Sequence, residues 1–577
     1  MQVGGPNYVK ETVSNTSYDF VIAGGGIAGL TVADRLTEDS KVSFLVVEYG
    51  PFDQGEATVL IPGAYNPFSY LWQKIFGTPQ AELNNVTLFA PMGAVVSSGS
   101  TVNTVFFVRC AKEDYSSWES LEGNAWGWDG LPYFKKNFTR PDPSLARDYN
   151  IPWADAVHGF SGPVQASYSP FNYAGDIGIK EATDPNDGGA IGLFWLLKAL
   201  DPRNETRSYA RIAHYDRVIG SWPSYHLLAE HDVSKVFLKE KKTIGIKYIS
   251  RNTGEIGNVT AKKEVMVAAS AMHAPRILHL SGIMPKAYLQ NLRIDTIADL
   301  PGVGQNPRIM TLDINYSLLS LPLLKYPPIT VQSNIEPNAG TLLSNTISDA
   351  EKLALYESSR QGAYTLTRQT ANVFIQLPLG NATSKYASIV NLARFEDPAS
   401  FLPSSTDSLS LQHQLEHWPD TTIYMVKPFS RASITLNTTD PLANPLIDFG
   451  SLTDPIDLEV VLALFRKNRE LMATPPMQVL GPTELSLGAN LTTDAQLKTV
   501  SRGLIGPPNA HIYCTAAMMK RELGGVVDDE LRVYGVTGLR VAGASVFSLT
   551  PGSGPQATVY AMAEKVCGNF LAAYDKE

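Results

Sequence analysis

The stretch YDFVIAGGGIAGLTVADRL (residues 18–36), followed by VSFLVVEYG (residues 42–50), decides the fold. Residues 18–23 read as a buried parallel strand. Gly24, Gly26 and Gly29 fit G-x-G-x-x-G: the first allows a tight turn, the second lets the backbone approach a pyrophosphate, and the third lets helix and strand pack closely. Ile27 and Ala28 then open a helix whose free N–H groups point at phosphate. Glu48 closes the second strand 19 residues after Gly29, where a carboxylate can accept from a ribose 2′-OH and would repel a 2′-phosphate. A bare Gly-Gly-Gly run would also suit an ordinary turn. The flanking strands and the spaced acid make this one an ADP-binding unit.

The chain has 577 residues, 44% of them hydrophobic and 18% charged, the balance of a globular protein too long for one compact core. No apolar run is long enough for a transmembrane helix. A net charge of −9 without a basic cluster argues against nucleic acid and anionic membranes as partners and leaves a small-molecule substrate. The oligomeric state is not legible. Cys110, Cys514 and Cys567 are too scattered for a disulfide framework and read as small buried residues. Nine N-x-S/T sequons (Asn15, Asn85, Asn137, Asn204, Asn258, Asn315, Asn381, Asn437, Asn490) exceed the roughly four expected by chance, so a secreted glycoprotein is expected. Residues 1–17 contain no apolar signal core, so secretion would require a signal segment already removed from this chain.

Further segments extend the nucleotide unit. Residues 233–250 alternate like antiparallel strands, residues 264–269 (EVMVAA) and 539–542 (LRVA) read as short strands, and residues 274–280 and 556–574 as helices. A unit drawn from both ends and the middle implies a second, inserted domain. The latter includes residues 432–437 (ASITLN) and a strong helix over 458–473. The expected fold class is α/β, α+β overall, with the inserted sheet roofing the cofactor. Trp118, Trp126 and Trp128 are expected to pack the core or a lid.

The text from HIYCTAAMMKRELGGVVDDELRVYG (residues 511–535), through LRVAGASVF (539–547), to QATVYAMAEK (556–565) resembles the glucose–methanol–choline (GMC) flavoprotein oxidoreductases, among them fungal secreted aryl-alcohol and glucose oxidase-like members. Residues 103–118 (NTVFFVRCAKEDYSSW) resemble the family's N-x-x-x-Y-x-R-G-x-x-x-D-Y-D-x-W. Residues 274–285 (APRILHLSGIMP), 300–306 (LPGVGQN) and 428–445 also match. The resemblance spans nearly the whole chain. It implies a Rossmann-like FAD-binding domain (15–151, 232–306 and 503–577) and a discontinuous substrate domain on an antiparallel sheet (152–231 and 307–502). It implies FAD as cofactor, held at Gly24, Gly26, Ile27, Ala28, Gly29, Glu48, Ser100, Asn103, Val233, Gly543, Ala544, Pro555 and Gln556.

In the resembled enzymes an alcohol carbon sits over flavin N5, and a histidine takes the hydroxyl proton as hydride passes to the flavin. His511 matches that histidine, and a neutral imidazole suits the role. The family's second residue, a histidine or asparagine, is replaced here by Gly554 in PGSGPQAT. Other departures cluster nearby. Gly543-Ala544-Ser545 lacks the usual aspartate, residues 93–100 (GAVVSSGS) lack the usual arginine, and residues 305–310 (QNPRIM) lose two polar positions. A helix N-terminus near Pro555 can still hold the cofactor through backbone N–H groups. Ser553 and Tyr513 are the neighbours able to stand in for the missing partner.

Three readings follow: an FAD-dependent CH–OH oxidoreductase with His511 as base; a non-redox lyase or cyclising dehydratase of the versicolorin B synthase kind, with FAD largely structural; and a catalytically dead binding protein. No metal is expected. His413-Gln414-Leu415-Glu416-His417 fits the zinc-protease pattern H-x-x-E-H, but reads better as a solvated helical turn. His273 reads as local packing.

Overall fold

The computed structural model describes most of residues 13–574. The main stretches outside the description are 1–12, 169–183, 317–348, 378–408 and 476–489, with shorter ones such as 306, 310–312, 417–420 and 507–509.

One seven-stranded sheet organises the cofactor half. Its elements are β1 (Thr16–Ala23), α1 (Ile27–Leu36), β2 (Phe44–Val47), β3 (Tyr225–Leu228), β4 (His231–Lys239), β5 (Lys242–Ser250), β6 (Ile256–Val267), α2 (Ser270–Leu280), β7 (Leu539–Val541) and α3 (Gln556–Tyr574). The order is β3-β2-β1-β6-β5-β4, with β7 also on β6. β1 runs parallel to both β2 and β6, whereas β4, β5 and the first half of β6 form an antiparallel meander. Phe20, Val21, Ile22 and Ala23 are all buried, so β1 has no solvent face, as a central parallel strand requires.

β6 is longer than the EVMVAA segment suggested. Burial alternates over its first half, which pairs with β5 on one side, and becomes continuous at Glu264–Val267 end, where β1 and β7 flank it. One strand therefore carries two patterns, and only the fully buried one is conspicuous in the sequence. The domain division needs one correction. Residues 225–228 fall in the stretch 152–231 allotted to the substrate domain, yet as β3 they pair in parallel with β2. The pairing Phe44–Val47 needs on its outer edge is supplied from a distant part of the chain.

α3 lies along α1. Arg35 donates from Nε and Nη2 to the two carboxylate oxygens of Glu564, both at 2.7 Å, with Glu564 wholly buried. Asn137 donates to the same carboxylate at 2.9 Å and is itself buried, so this sequon is closed in the folded protein. Asn15, Asn85, Asn258 and Asn490 are exposed. Trp118 and Trp126 are fully buried, and Cys110, Cys514 and Cys567 are free and buried, as expected.

A second, five-stranded antiparallel sheet joins Gly192–Trp195, Gln369–Leu377, Leu409–Glu416, Thr421–Met425 and Asp313–Tyr316. It is the antiparallel sheet expected of the inserted region. The helix expected over 458–473 runs from Pro455 to Met472, and ASITLN contributes the strand Ser433–Thr435. Residues 409–416 are a strand, not the helical turn expected of the H-x-x-E-H run, and His417 lies outside the described residues. Among the described residues no group of His, Cys, Asp and Glu could hold a metal ion, and no helix is long and apolar enough to cross a membrane.

Candidate active site

The parallel strands β1, β2, β3, β6 and β7 end on one edge, and β1 is where the strand order reverses. A crevice outside the carboxyl ends of strands at such a point is where α/β sheets bind ligands. Gly24 leaves β1 with φ +113°, and a Cβ there would lie 2.4 Å from Ala268 O. A Cβ at Gly29 would lie 1.9 Å from Gly24 O, so α1 rests directly on the elbow. At Gly26 a Cβ would meet Ser98 Cβ at 3.3 Å and little else, which leaves the backbone open to a ligand. No side chain caps α1 at Gly26, and its first bond runs from Leu30 N–H to Gly26 O. The N–H groups of Ile27, Ala28 and Gly29 precede that ladder and are available to phosphate.

Glu48 does more than face a ribose. One carboxylate oxygen accepts from Gly25 N–H at 2.6 Å, the other from Gly50 N–H at 2.7 Å. It thereby clamps the elbow to the turn after β2. Burial pushes its carboxyl up to about 7 in spite of these two bonds. A carboxylate has about four acceptor positions, so lone pairs remain for hydroxyl donors. Beside it, Arg251 covers Tyr49, Tyr49 stacks on Trp72 at 3.8 Å, and Trp72 stacks on His273 at 4.3 Å. His273 is thus packing, as expected. Val233 is buried in β4, and its carbonyl accepts from Arg276, which also pairs with Asp232.

At the other end of the crevice, β7 runs into Gly543, at φ +97°, and Ala544, which follow Ala542 N–H to Val267 O. Asn103 Nδ2 donates to Gln556 Oε1, and Asn103 Oδ1 accepts from Arg207 Nη1 at 2.7 Å. Two residues expected to touch the cofactor therefore orient each other first. Ser100 has a largely internal role: its hydroxyl bonds Ser97 Oγ at 2.5 Å and accepts from Ala210 N–H at 3.2 Å. Ser97 and Ser98 stand at the family's glycine pair and keep a positive φ, 78° and 44°. Ser97 N–H donates to Gly25 O at 2.7 Å, which helps hold that strained turn against the elbow.

His511 precedes a two-residue strand, Ile512–Tyr513, that pairs with Arg308–Ile309. Left-handed residues flank it, Ala510 at φ 55° and Cys514 at φ 62°, and such strain gathers at functional sites. The Tyr513 ring stacks on Phe547 at 5.4 Å. Burial pushes His511 down to about 4, so its imidazole is neutral at working pH. Gly554 lies directly in front of it: a Cβ there would sit 3.9 Å from His511 Nε2. The site where the family carries a second side chain is therefore adjacent to His511 in space, and bare.

One positioning residue escaped the sequence reading. Asp114 accepts from Gly552 N–H at 3.0 Å and Ala111 N–H at 3.2 Å and pairs with Lys427. It pins the turn that leads to Gly554, and its mark in the sequence was the aspartate of K-E-D-Y-S-S-W. Tyr115, next to it, bonds Thr558 Oγ1 at 2.8 Å on the first turn of α3.

The residues present fit a flavin dinucleotide. Gly24, Gly26, Ile27, Ser98, Asn103, Ala544, Gly554, Pro555 and His511 are partly exposed among buried neighbours, so they keep surface that a ligand can cover. Gln556 Nε2, Ser553 Oγ, Ser545 Oγ, Thr515 Oγ1 and His511 Nδ1 are buried without a partner. Buried polar groups are ordinarily bonded, so this concentration calls for a polar occupant.

Comparison with known proteins agrees. Two family models described as GMC oxidoreductase match residues 18–188 with 198–309, and residues 428–563. The dehydrogenase xptC of Emericella nidulans is 40% identical, over 96% of this chain and 93% of its own. Versicolorin B synthase stcN of the same organism is 29% identical, over 96% and 89%. The structure of an FAD-dependent oxidoreductase from Chaetomium thermophilum superposes with a TM-score of 0.86 at 41% identity, over 97% of this chain and all of the other.

Proposed function

The chain belongs to the GMC oxidoreductase family, with FAD as its cofactor, and from that premise we propose that it oxidises the CH–OH group of a small organic alcohol with His511 as general base. The observation that carries the reading is an imidazole held neutral by burial, whose Nε2 lies beside Gly554, a position with no side chain to occupy it. Bound FAD supplies the acceptor for the hydride that leaves the carbinol carbon. The chain supplies the rest. His511 Nε2 takes the hydroxyl proton, so that the O–H and C–H bonds break as the C=O bond forms. The N–H groups opening α1 and the Glu48 carboxylate hold the adenosine end, and those opening α3, with Gln556 Nε2, hold the flavin end. Burial excludes water and keeps His511 unprotonated. The five-stranded sheet is assigned to the substrate side. The exposed sequons at Asn15, Asn85, Asn258 and Asn490 support a secreted glycoprotein.

A second reading has a specific observation in its favour. No side chain stands at Gly554 to share the proton work, and a relative is a versicolorin B synthase. A ring-closing or eliminating enzyme needs only His511 and uses FAD as scaffold. Anaerobic titration with a panel of alcohols separates the two. Bleaching of the flavin supports oxidation, and turnover without bleaching or oxygen uptake refutes it. His511→Ala should abolish turnover with flavin content unchanged, and persisting turnover would remove His511 from the mechanism.

A further inference from the structure

Most buried glycines of this fold are required by their surroundings. At Gly29, Gly50, Gly302 and Gly525 a Cβ would come within 2.1 Å of backbone atoms, and Gly24 and Gly543 need a left-handed φ. Gly554 meets neither condition. Its φ lies outside the left-handed region, and among the described residues a Cβ there would touch His511 alone, at 3.9 Å from Nε2 and 4.0 Å from Cε1, an ordinary contact. A glycine with no backbone or packing reason carries an entropic cost, and what it leaves is space on the reacting side of His511.

Gly554 and Pro555 are partly exposed between the buried Ser553 and Gln556, and His511, which faces Gly554, is partly exposed as well. Resting on the reading of His511 as the base for a CH–OH group, we infer that Gly554 determines specificity by making room for a second carbinol substituent. The substrate class is then a secondary alcohol, R–CH(OH)–R′, whose oxygen is presented to His511 Nε2 with R′ over Gly554. A primary alcohol leaves the room beside Gly554 unused.

The test compares holoenzyme with Gly554→Ala and Gly554→Leu, each checked for flavin content. Two measurements are made: kcat/KM for anaerobic flavin reduction by 1-phenylpropan-1-ol and by benzyl alcohol, and Kd for propiophenone and benzaldehyde from perturbation of the oxidised flavin spectrum. The expected result is a secondary-over-primary ratio that falls about tenfold or more in Gly554→Leu and less in Gly554→Ala. The ketone-over-aldehyde affinity ratio should fall in parallel. Ratios unchanged by both variants, or a wild-type preference for the primary alcohol, would overturn the inference. If neither alcohol bleaches the flavin, the oxidation reading fails. The ketone binding ratio then decides the inference by itself: a fall on substitution upholds the space for R′, and no change refutes it.

Discussion

Replacing Gly29 by alanine adds one carbon, and the structure sets two opposed effects against each other. Alanine in place of glycine within a helix is worth about 1 kcal/mol in its favour. The new Cβ, however, would lie 1.9 Å from Gly24 O and 3.1 Å from Gly24 C. That is roughly 1.5 Å short of van der Waals contact. The obstacle is backbone, and neither side can rotate away. Relief requires α1 to lift from β1 or the elbow to open. Overpacking of this kind costs about 1–3 kcal/mol, and more where backbone must move, so strain outweighs propensity and apoprotein stability should fall by about 2 kcal/mol. The same displacement shifts the N–H groups of Ile27 and Ala28 away from the pyrophosphate, so flavin content should fall too. Gly26→Ala is the partner experiment. Its Cβ would meet only Ser98 Cβ, at 3.3 Å, so apoprotein stability should hold while FAD binding is lost. Thermal unfolding of both apoproteins and flavin released per mole on denaturation give the answer. A Gly29→Ala protein with wild-type stability and flavin content would refute the tight elbow. A Gly26→Ala protein that loses stability as much as Gly29→Ala would refute the division of roles.

The pH profile follows from His511. Burial favours the neutral imidazole and holds it down to about 4, so the acid limb of kcat/KM should lie near that value rather than near 6.5. The sign for stability is the same: no cost above about 6.5, the unfolded value, and progressive destabilisation as pH falls from there toward 4, because the unfolded state then binds the proton more readily. A kcat/KM break near 6.5 would contradict this. Asp114→Asn withdraws a charged acceptor from the Gly552 and Ala111 N–H groups and from Lys427. A loss of about 2 kcal/mol in stability is expected, with kcat reduced about tenfold or more at temperatures where the variant is folded and flavin retained. Unaltered kcat would show that Asp114 does not position the turn before Gly554.

The elements legible in advance were those in which one local pattern served one purpose. The run 18–50 carried its strand, elbow, helix and acid in contiguous text, because every part of an ADP cradle lies within about thirty residues of chain. The helix at 556–574 was legible from an amphipathic pattern that runs through the segment without a proline. β3 was hidden because a four-residue strand has too little pattern to reveal its partner. Asp114 was hidden because its acceptor role is defined by Gly552, far along the chain.

The sequence by itself marked the ADP cradle through its glycine spacing and carboxylate, and its resemblance to a known family gave the flavin cofactor and singled out His511 as the candidate base. It also showed that a side chain was missing at position 554. Tertiary structure decided what that absence amounts to. Only folding brings residue 554 to within van der Waals reach of His511 Nε2 and leaves nothing else described beside it. A sequence records which atoms are present, whereas the distance between residues of separate segments is set by how the chain packs. The closeness of Gly554 to His511 Nε2 is therefore visible in the packing alone.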